Sequence, residues 1–153
     1  MTLYKGTGGT EADSWTSQTG NSAVSTSATS SGTTFTSTGE GTGWIWTNKQ
    51  GVTPSTTTGV WPADFTIELD VISMTGTANL AVYETSGTGS TSQTFALSTG
   101  HWKVAKSGST FTVDHDGSTS TVIKSLNDPL RIGITHIENG KSITFRDFMV
   151  YLS

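Results

Sequence analysis

The chain contains no cysteine and only three prolines among its 153 residues. Without thiols there is no cysteine nucleophile, no thiolate zinc site and no disulfide framework, so stability must come from packing and strand pairing. Charge is scarce as well. Charged side chains make up 13% of the residues, 12 acidic against 8 basic, for a formal charge of -4. Lys and Arg are few and scattered, which leaves no basic patch to meet a phosphate backbone and excludes nucleic acid as a partner. Long apolar runs are also missing. None approaches the ~20 residues that cross a bilayer, so no membrane insertion is expected, and residues 1–5 lack the apolar core of a secretory signal.

Helix formers such as Ala, Leu, Glu, Gln, Lys and Arg are sparse, which excludes helical enzyme folds. What is abundant is Thr at 31 positions, Ser at 21 and Gly at 18, nearly half the chain. Thr joins Val, Ile and the aromatics on pleated surfaces, and Gly and Ser supply turns, so the composition favours strands. Residues 1–34 are so rich in Ser, Thr and Gly that alone they resemble a linker, with Trp15 and Val24 the large apolar residues after Tyr4. Strands are expected at 33–37 and 44–47, where β-branched and aromatic residues stand between Gly-rich turns.

From Phe65 the pattern sharpens. Phe65, Ile67, Leu69 and Val71 alternate with Thr66, Glu68 and Asp70, the period of two of a strand with one apolar and one polar face. Leu80 and Val82 continue the theme, then Phe95 and Leu97 after a turn at 85–94 long enough to protrude. Phe111, Val113 and His115 lead into Asp116-Gly117, a two-residue hairpin signal before 119–123. Leu130, Ile132, Ile134 and His136 form a further alternating strand, and Asn139-Gly140 reads as a second hairpin turn into Ile143 and Phe145. In the last strand, Ile143 and Phe145 have one parity and Phe148, Val150 and Leu152 the other. One extra residue near Arg146-Asp147, a β-bulge, restores a continuous apolar face.

Many short strands at regular spacing, with no repeat and no helical period, predict an all-β antiparallel jelly-roll sandwich of two curved sheets, one domain over 1–153. The order Trp61-Pro62-Ala63-Asp64-Phe65-Thr66-Ile67-Glu68-Leu69-Asp70-Val71, then Phe111 to Gly117, then Ile143-Thr144-Phe145-Arg146-Asp147-Phe148-Met149-Val150-Tyr151, resembles the concanavalin A-like lectin/glucanase domains, including laminin G-like ones. The resemblance spans residues 60–153. It implies that residues 1–59 supply opening strands and that the first and last strands lie close together. Retaining glucanases of that family carry a nucleophilic Glu and an acid/base Glu on one strand, and Glu68-Leu69-Asp70 matches its start. Ile72 and Ser73 stand where the acid/base would be, and neither moves a proton at neutral pH, so the resemblance implies no hydrolysis.

The leading expectation is therefore a non-catalytic module, not an enzyme, that binds cell-surface or envelope carbohydrate, located at an extracellular surface or on a virion, alone or in a homo-oligomer or larger assembly. The alternative is a structural domain of a phage or virus fibre, tail or head. Glu68 and Asp70 would offer acceptors to sugar hydroxyls. Trp44 and Trp46 flank Ile45 and project from one face, either as core or as a stacking platform, and Tyr83, His101 and Trp102 would line the groove mouth. As outward residues, Glu68 and Asp70 should be replaceable within about 0.5 kcal/mol. No cofactor and no metal are expected. His115 points away from Asp114 and Asp116, and Asp13, Asn127 and Asp128 do not assemble the about six to eight oxygens calcium takes.

Overall fold

The computed structural model describes residues 2–6, 15–47, 64–84, 91–126 and 130–152. Their strands are β1 (Thr2–Gly6), β2 (Trp15–Ser17), β3 (Val24–Thr29), β4 (Gly32–Ser37), β5 (Gly43–Thr47), β6 (Phe65–Thr75), β7 (Asn79–Glu84), β8 (Ser92–Ala96), β9 (Gly100–Ser107), β10 (Thr110–His115), β11 (Ser118–Ile123), β12 (Leu130–Ile137) and β13 (Ser142–Tyr151). Among the described residues a 3-10 turn at Gly20–Ser22 interrupts them and there is no α-helix. Every pairing between strands is antiparallel. One sheet runs β11-β10-β9-β6-β13-β4-β3 with β1 added alongside β13, and the other runs β2-β5-β12-β7-β8. The fold is thus an all-β antiparallel sandwich of an eight-stranded and a five-stranded sheet.

The alternation in β6 explains how the layers meet. Phe65, Ile67 and Leu69 are fully buried between the sheets, and Glu68 and Asp70 face outward. The five-stranded sheet answers with Ile45, Leu80, Val82, Leu130, Ile132 and Ile134, all at 0% exposure. At one corner Trp15 meets Phe35 edge-on at 5.0 Å, Phe145 at 5.8 Å and Phe148 at 4.8 Å. Such edge-to-face contacts add to the burial each ring already contributes. So the Ser/Thr-rich opening third is folded in where it is described, and β1 lies against β13 as the resemblance implies.

The hairpin at Asp116-Gly117 forms as expected, with φ of 51° and 89°, the left-handed pair a two-residue turn of this kind demands. The bulge in β13 also falls where parity changes: the register against β6 shifts between Arg146 and Met149, and Asp147 has φ 54°. Three expectations are corrected. Asn139-Gly140 does not close a hairpin, because β12 and β13 belong to different sheets and the turn hands the chain from one to the other. β12 does not alternate to its end: its register shifts between Ile134 and Ile137, His136 takes φ 53°, and Ile137 is the residue that goes inward. Leu152 follows the end of β13 and is exposed. Of the turn expected at 85–94, residues 92–94 belong to β8, and 85–90 lie outside the described residues.

Candidate functional site

The seven candidate residues do not line one groove. The sequence fixes which side of a strand a residue faces but not which sheet the strand joins. β6 and β9 lie in the eight-stranded sheet, whereas β5 and β7 lie in the five-stranded one. Glu68, Asp70 and His101 therefore gather on the outer face of the first, and Trp44, Trp46 and Tyr83 on the outer face of the second, with the whole core between them. Trp102 joins neither group. Its neighbour in β9 points outward, so Trp102 points into the core at 7% exposure, stacks on His115 at 4.1 Å and donates its indole N–H to the Ser98 carbonyl at 2.8 Å.

On the eight-stranded face the register places Asp70 opposite His101 and Glu68 opposite Lys103. The His101 imidazole lies between two carboxylates, Nδ1 2.6 Å from Asp70 Oδ1 and Nε2 2.9 Å from Glu68 Oε1. The Tyr151 hydroxyl donates to the other Glu68 oxygen at 2.5 Å, and Arg146 Nε lies 3.9 Å from Asp70 Oδ2. The hydrogen bond to Asp70 raises the His101 pKa above its ordinary value, with Glu68 adding to this and partial burial opposing it. For Glu68, burial alone would push the pKa up, but the hydrogen bonds from Tyr151 and His101 outweigh it and hold the carboxyl below its ordinary value. Burial, and then the bond to Glu68, pushes the Tyr151 phenol up to about 12. This group has largely satisfied itself. Both carboxylates are tied to one imidazole, and Ile72, where a glucanase would need its acid/base, is exposed and apolar.

The five-stranded face is built around a missing side chain. Gly133 in the central strand β12 pairs with Trp46 of β5 on one side and with Ala81 of β7 on the other. A Cβ on Gly133 would stand 2.5 Å from Trp46 Cε3. Its absence lets the indole lie across β12 and meet Tyr83 of β7 at 5.2 Å. Trp46 and Tyr83 are 7% and 8% exposed, so they form a second apolar cluster outside the main core. Trp44, half-buried, stands on it, 6.1 Å from Trp46, 5.5 Å from Tyr83 and 4.5 Å from His136. The Trp44 indole N–H is fixed by Thr42 Oγ1 at 3.0 Å. Arg131 lays its guanidinium over the Trp46 ring at 4.1 Å. Trp44 and Trp46 are therefore neither inter-sheet core nor a free platform. Trp46 and Tyr83 are a buried floor and Trp44 is a partly open wall.

Three participants were absent from the sequence candidates. Tyr151 reaches Glu68 because the bulge in β13 resets its parity, a consequence that the bulge signal allowed one to draw. Arg131 faces outward with Tyr83, which the alternation of β12 already implied. His136 comes to Trp44 through the irregularity in β12, for which the sequence carries no turn residue. Of the residues weighed for metal, Asp114 accepts the Gly117 N–H at 2.8 Å, which closes the turn, and Asp116 accepts the His101 N–H at 2.8 Å from the neighbouring strand. Asp116 does not point away from His115 as alternation suggests: its left-handed backbone takes it out of the strand pattern, and its Oδ2 lies 3.6 Å from His115 Nε2. Asp13, Asn127 and Asp128 lie outside the described residues.

No family model matches the chain, and no curated protein matches it. Among solved structures, its fold is similar to that of the carbohydrate binding module CBM66 from Bacillus subtilis, with a TM-score of 0.58 at 14% identity, over 90% of this chain and 95% of that one. At that identity the likeness establishes a shared all-β sandwich.

Proposed function

We propose that the protein is a non-catalytic carbohydrate-recognition module acting at a cell or virion surface, and that its sugar site is the outer face of the five-stranded sheet. The observation that carries this is the half-buried Trp44 ring held upright on the buried pair Trp46 and Tyr83, beside Arg131 and His136. A sugar ring needs one apolar plane to cover its C–H face and a few fixed polar groups for its hydroxyls, and rigid rings with polar neighbours provide both. The fold shared with a carbohydrate binding module and the resemblance of residues 60–153 to lectin-like domains support the same class. The opposite face is a weaker candidate, since His101 and Tyr151 have already spent their donors on Glu68 and Asp70.

Glycan-array retention together with tryptophan fluorescence tests the proposal. We expect a glycan that is retained by the wild type and perturbs its emission, and a loss of that retention in Trp44→Ala with the far-ultraviolet spectrum unchanged. Retention that survives Trp44→Ala would move the site off this face, and an array with no retained glycan would end the carbohydrate reading.

A further inference from the structure

We propose that the ligand of the five-stranded face carries a carboxylate, so that its class is uronate-bearing glycans, and that Arg131 is the residue that selects it. This deepens the carbohydrate reading of the same site and rests on it.

Two buried donors on this face are unspent. Trp46 is more than nine-tenths buried, yet its indole N–H has no acceptor, and the Nε–H of Arg131 beside it has none either. Native proteins pair nearly all buried polar groups, so two neighbouring orphans of the same sign call for one partner that only accepts. The Arg131 charge is also unpaired among the described residues. Among the described residues every ion pair lies on the eight-stranded sheet or its turns, and none involves Arg131. Burial against Trp46 holds the guanidinium below its ordinary pKa, as expected of a cation that has lost water without gaining a counterion.

A neutral sugar hydroxyl could accept one bond here but would leave the charge uncompensated. A carboxylate accepts from the planar guanidinium in a two-point fork and neutralises it, and such charge-assisted pairs are shorter and stronger than neutral ones. The half-buried Trp44 ring on the same face supplies the plane for the rest of the sugar. The formal charge of -4 does not forbid an acidic ligand, because fields from distant carboxylates fade beyond about 8 Å at physiological salt.

The test titrates the protein, by calorimetry and tryptophan fluorescence, with a galacturonate oligomer, the same oligomer after reduction of its carboxyl groups, a neutral glucan oligomer, and acetate at matched ionic strength. The acidic oligomer should bind at least about tenfold more tightly than its reduced form, acetate alone should not perturb the emission, and added salt should weaken binding. Arg131→Lys, which keeps the charge and loses the fork, should erase most of that preference, and it keeps the test readable if Arg131→Gln fails to fold. Equal or tighter binding of the reduced or neutral oligomer, lost in Trp44→Ala, would overturn the acidic ligand and leave the sugar site standing. If no oligomer binds, acidic or neutral, and none is retained on the array, the carbohydrate reading itself falls and this inference with it.

Discussion

On the eight-stranded sheet the outward row of Glu68, Asp70, His101 and Tyr151 joins each donor to an acceptor within 2.5 to 2.9 Å. On the five-stranded sheet the outward row of Trp44, Trp46, Tyr83 and Arg131 joins rings to rings and leaves two buried donors with nothing to bind. A network whose donors are all engaged gains less from a ligand, since any acceptor the ligand brings must displace an existing bond. An incomplete one gains the whole desolvation penalty it had been carrying, about 1–3 kcal/mol for each buried donor left alone. The two faces therefore differ in readiness to bind, though the sequence makes the carboxylate-rich one look the more functional.

The largest expected effect comes from filling the gap beneath Trp46. In Gly133→Ala the new Cβ would lie 2.4 Å from the Ile45 carbonyl oxygen and 2.5 Å from Trp46 Cε3, so either the sheet or the indole must move. Overpacking of this kind costs about 1–3 kcal/mol, or roughly 2–4 °C in melting temperature per kcal/mol at this size. Trp46 emission should shift to the red, and His101, on the far side of the core, should titrate as in the wild type. An unchanged melting temperature would show that the indole does not depend on that gap, and the contrast between a built face and a merely polar one would fail.

Much of this was open to a reader of the sequence, and the division between legible and illegible follows the physics of strands. Side-chain parity is local, so the core face of β6, the Asp116-Gly117 hairpin and the β13 bulge could all be placed from neighbouring residues. Sheet membership is not local. Nothing near Trp44 or Glu68 says that β5 and β6 separate into different sheets, so one imagined groove became two opposite faces. The reading of His101 and Trp102 as a pair went wrong for a simpler reason. Adjacent residues in a strand point to opposite sides, and the rule that orders β6 also sends His101 out and Trp102 in.

The stability contributed by the polar face should depend on pH. The His101 pKa is raised, so its contribution to stability is complete below the ordinary value of 6.5 and is lost as pH rises through the raised pKa. The Glu68 pKa is lowered, so its contribution is complete above the ordinary value of 4.5 and is lost as pH falls through the lowered pKa. Both are complete between those two values. Glu68→Gln with Asp70→Asn should therefore cost about 1 kcal/mol in that window, after allowance for the solvent that reaches His101, and less at about pH 9. This exceeds the near-neutral change expected when the two carboxylates are regarded as free surface groups. Melting curves at the two pH values, for the wild type and the double variant, measure the difference. A double variant whose loss is the same at both would mean the imidazole is not held by these carboxylates.

The smallest effect, and the sharpest on the separation of the faces, is expected for Tyr151→Phe. The phenol donates to Glu68 Oε2 and its own pKa is pushed up to about 12, so the change removes one charge-assisted bond and leaves the ring in place. Glu68 loses a donor that holds its pKa down, so its carboxyl should titrate at a higher pH, which carboxyl chemical shifts followed through an acid titration would report. Partial exposure limits the cost to about 0.5–1 kcal/mol. The ultraviolet titration of the tyrosines should lose its step at about 12, which identifies that step as Tyr151. Binding of any glycan on the five-stranded face should not change, because the whole inter-sheet core lies between Tyr151 and Trp44. A glycan affinity that falls with Tyr151→Phe would instead place the sugar on the eight-stranded face, where the phenol and the two carboxylates would be its hydrogen-bonding groups.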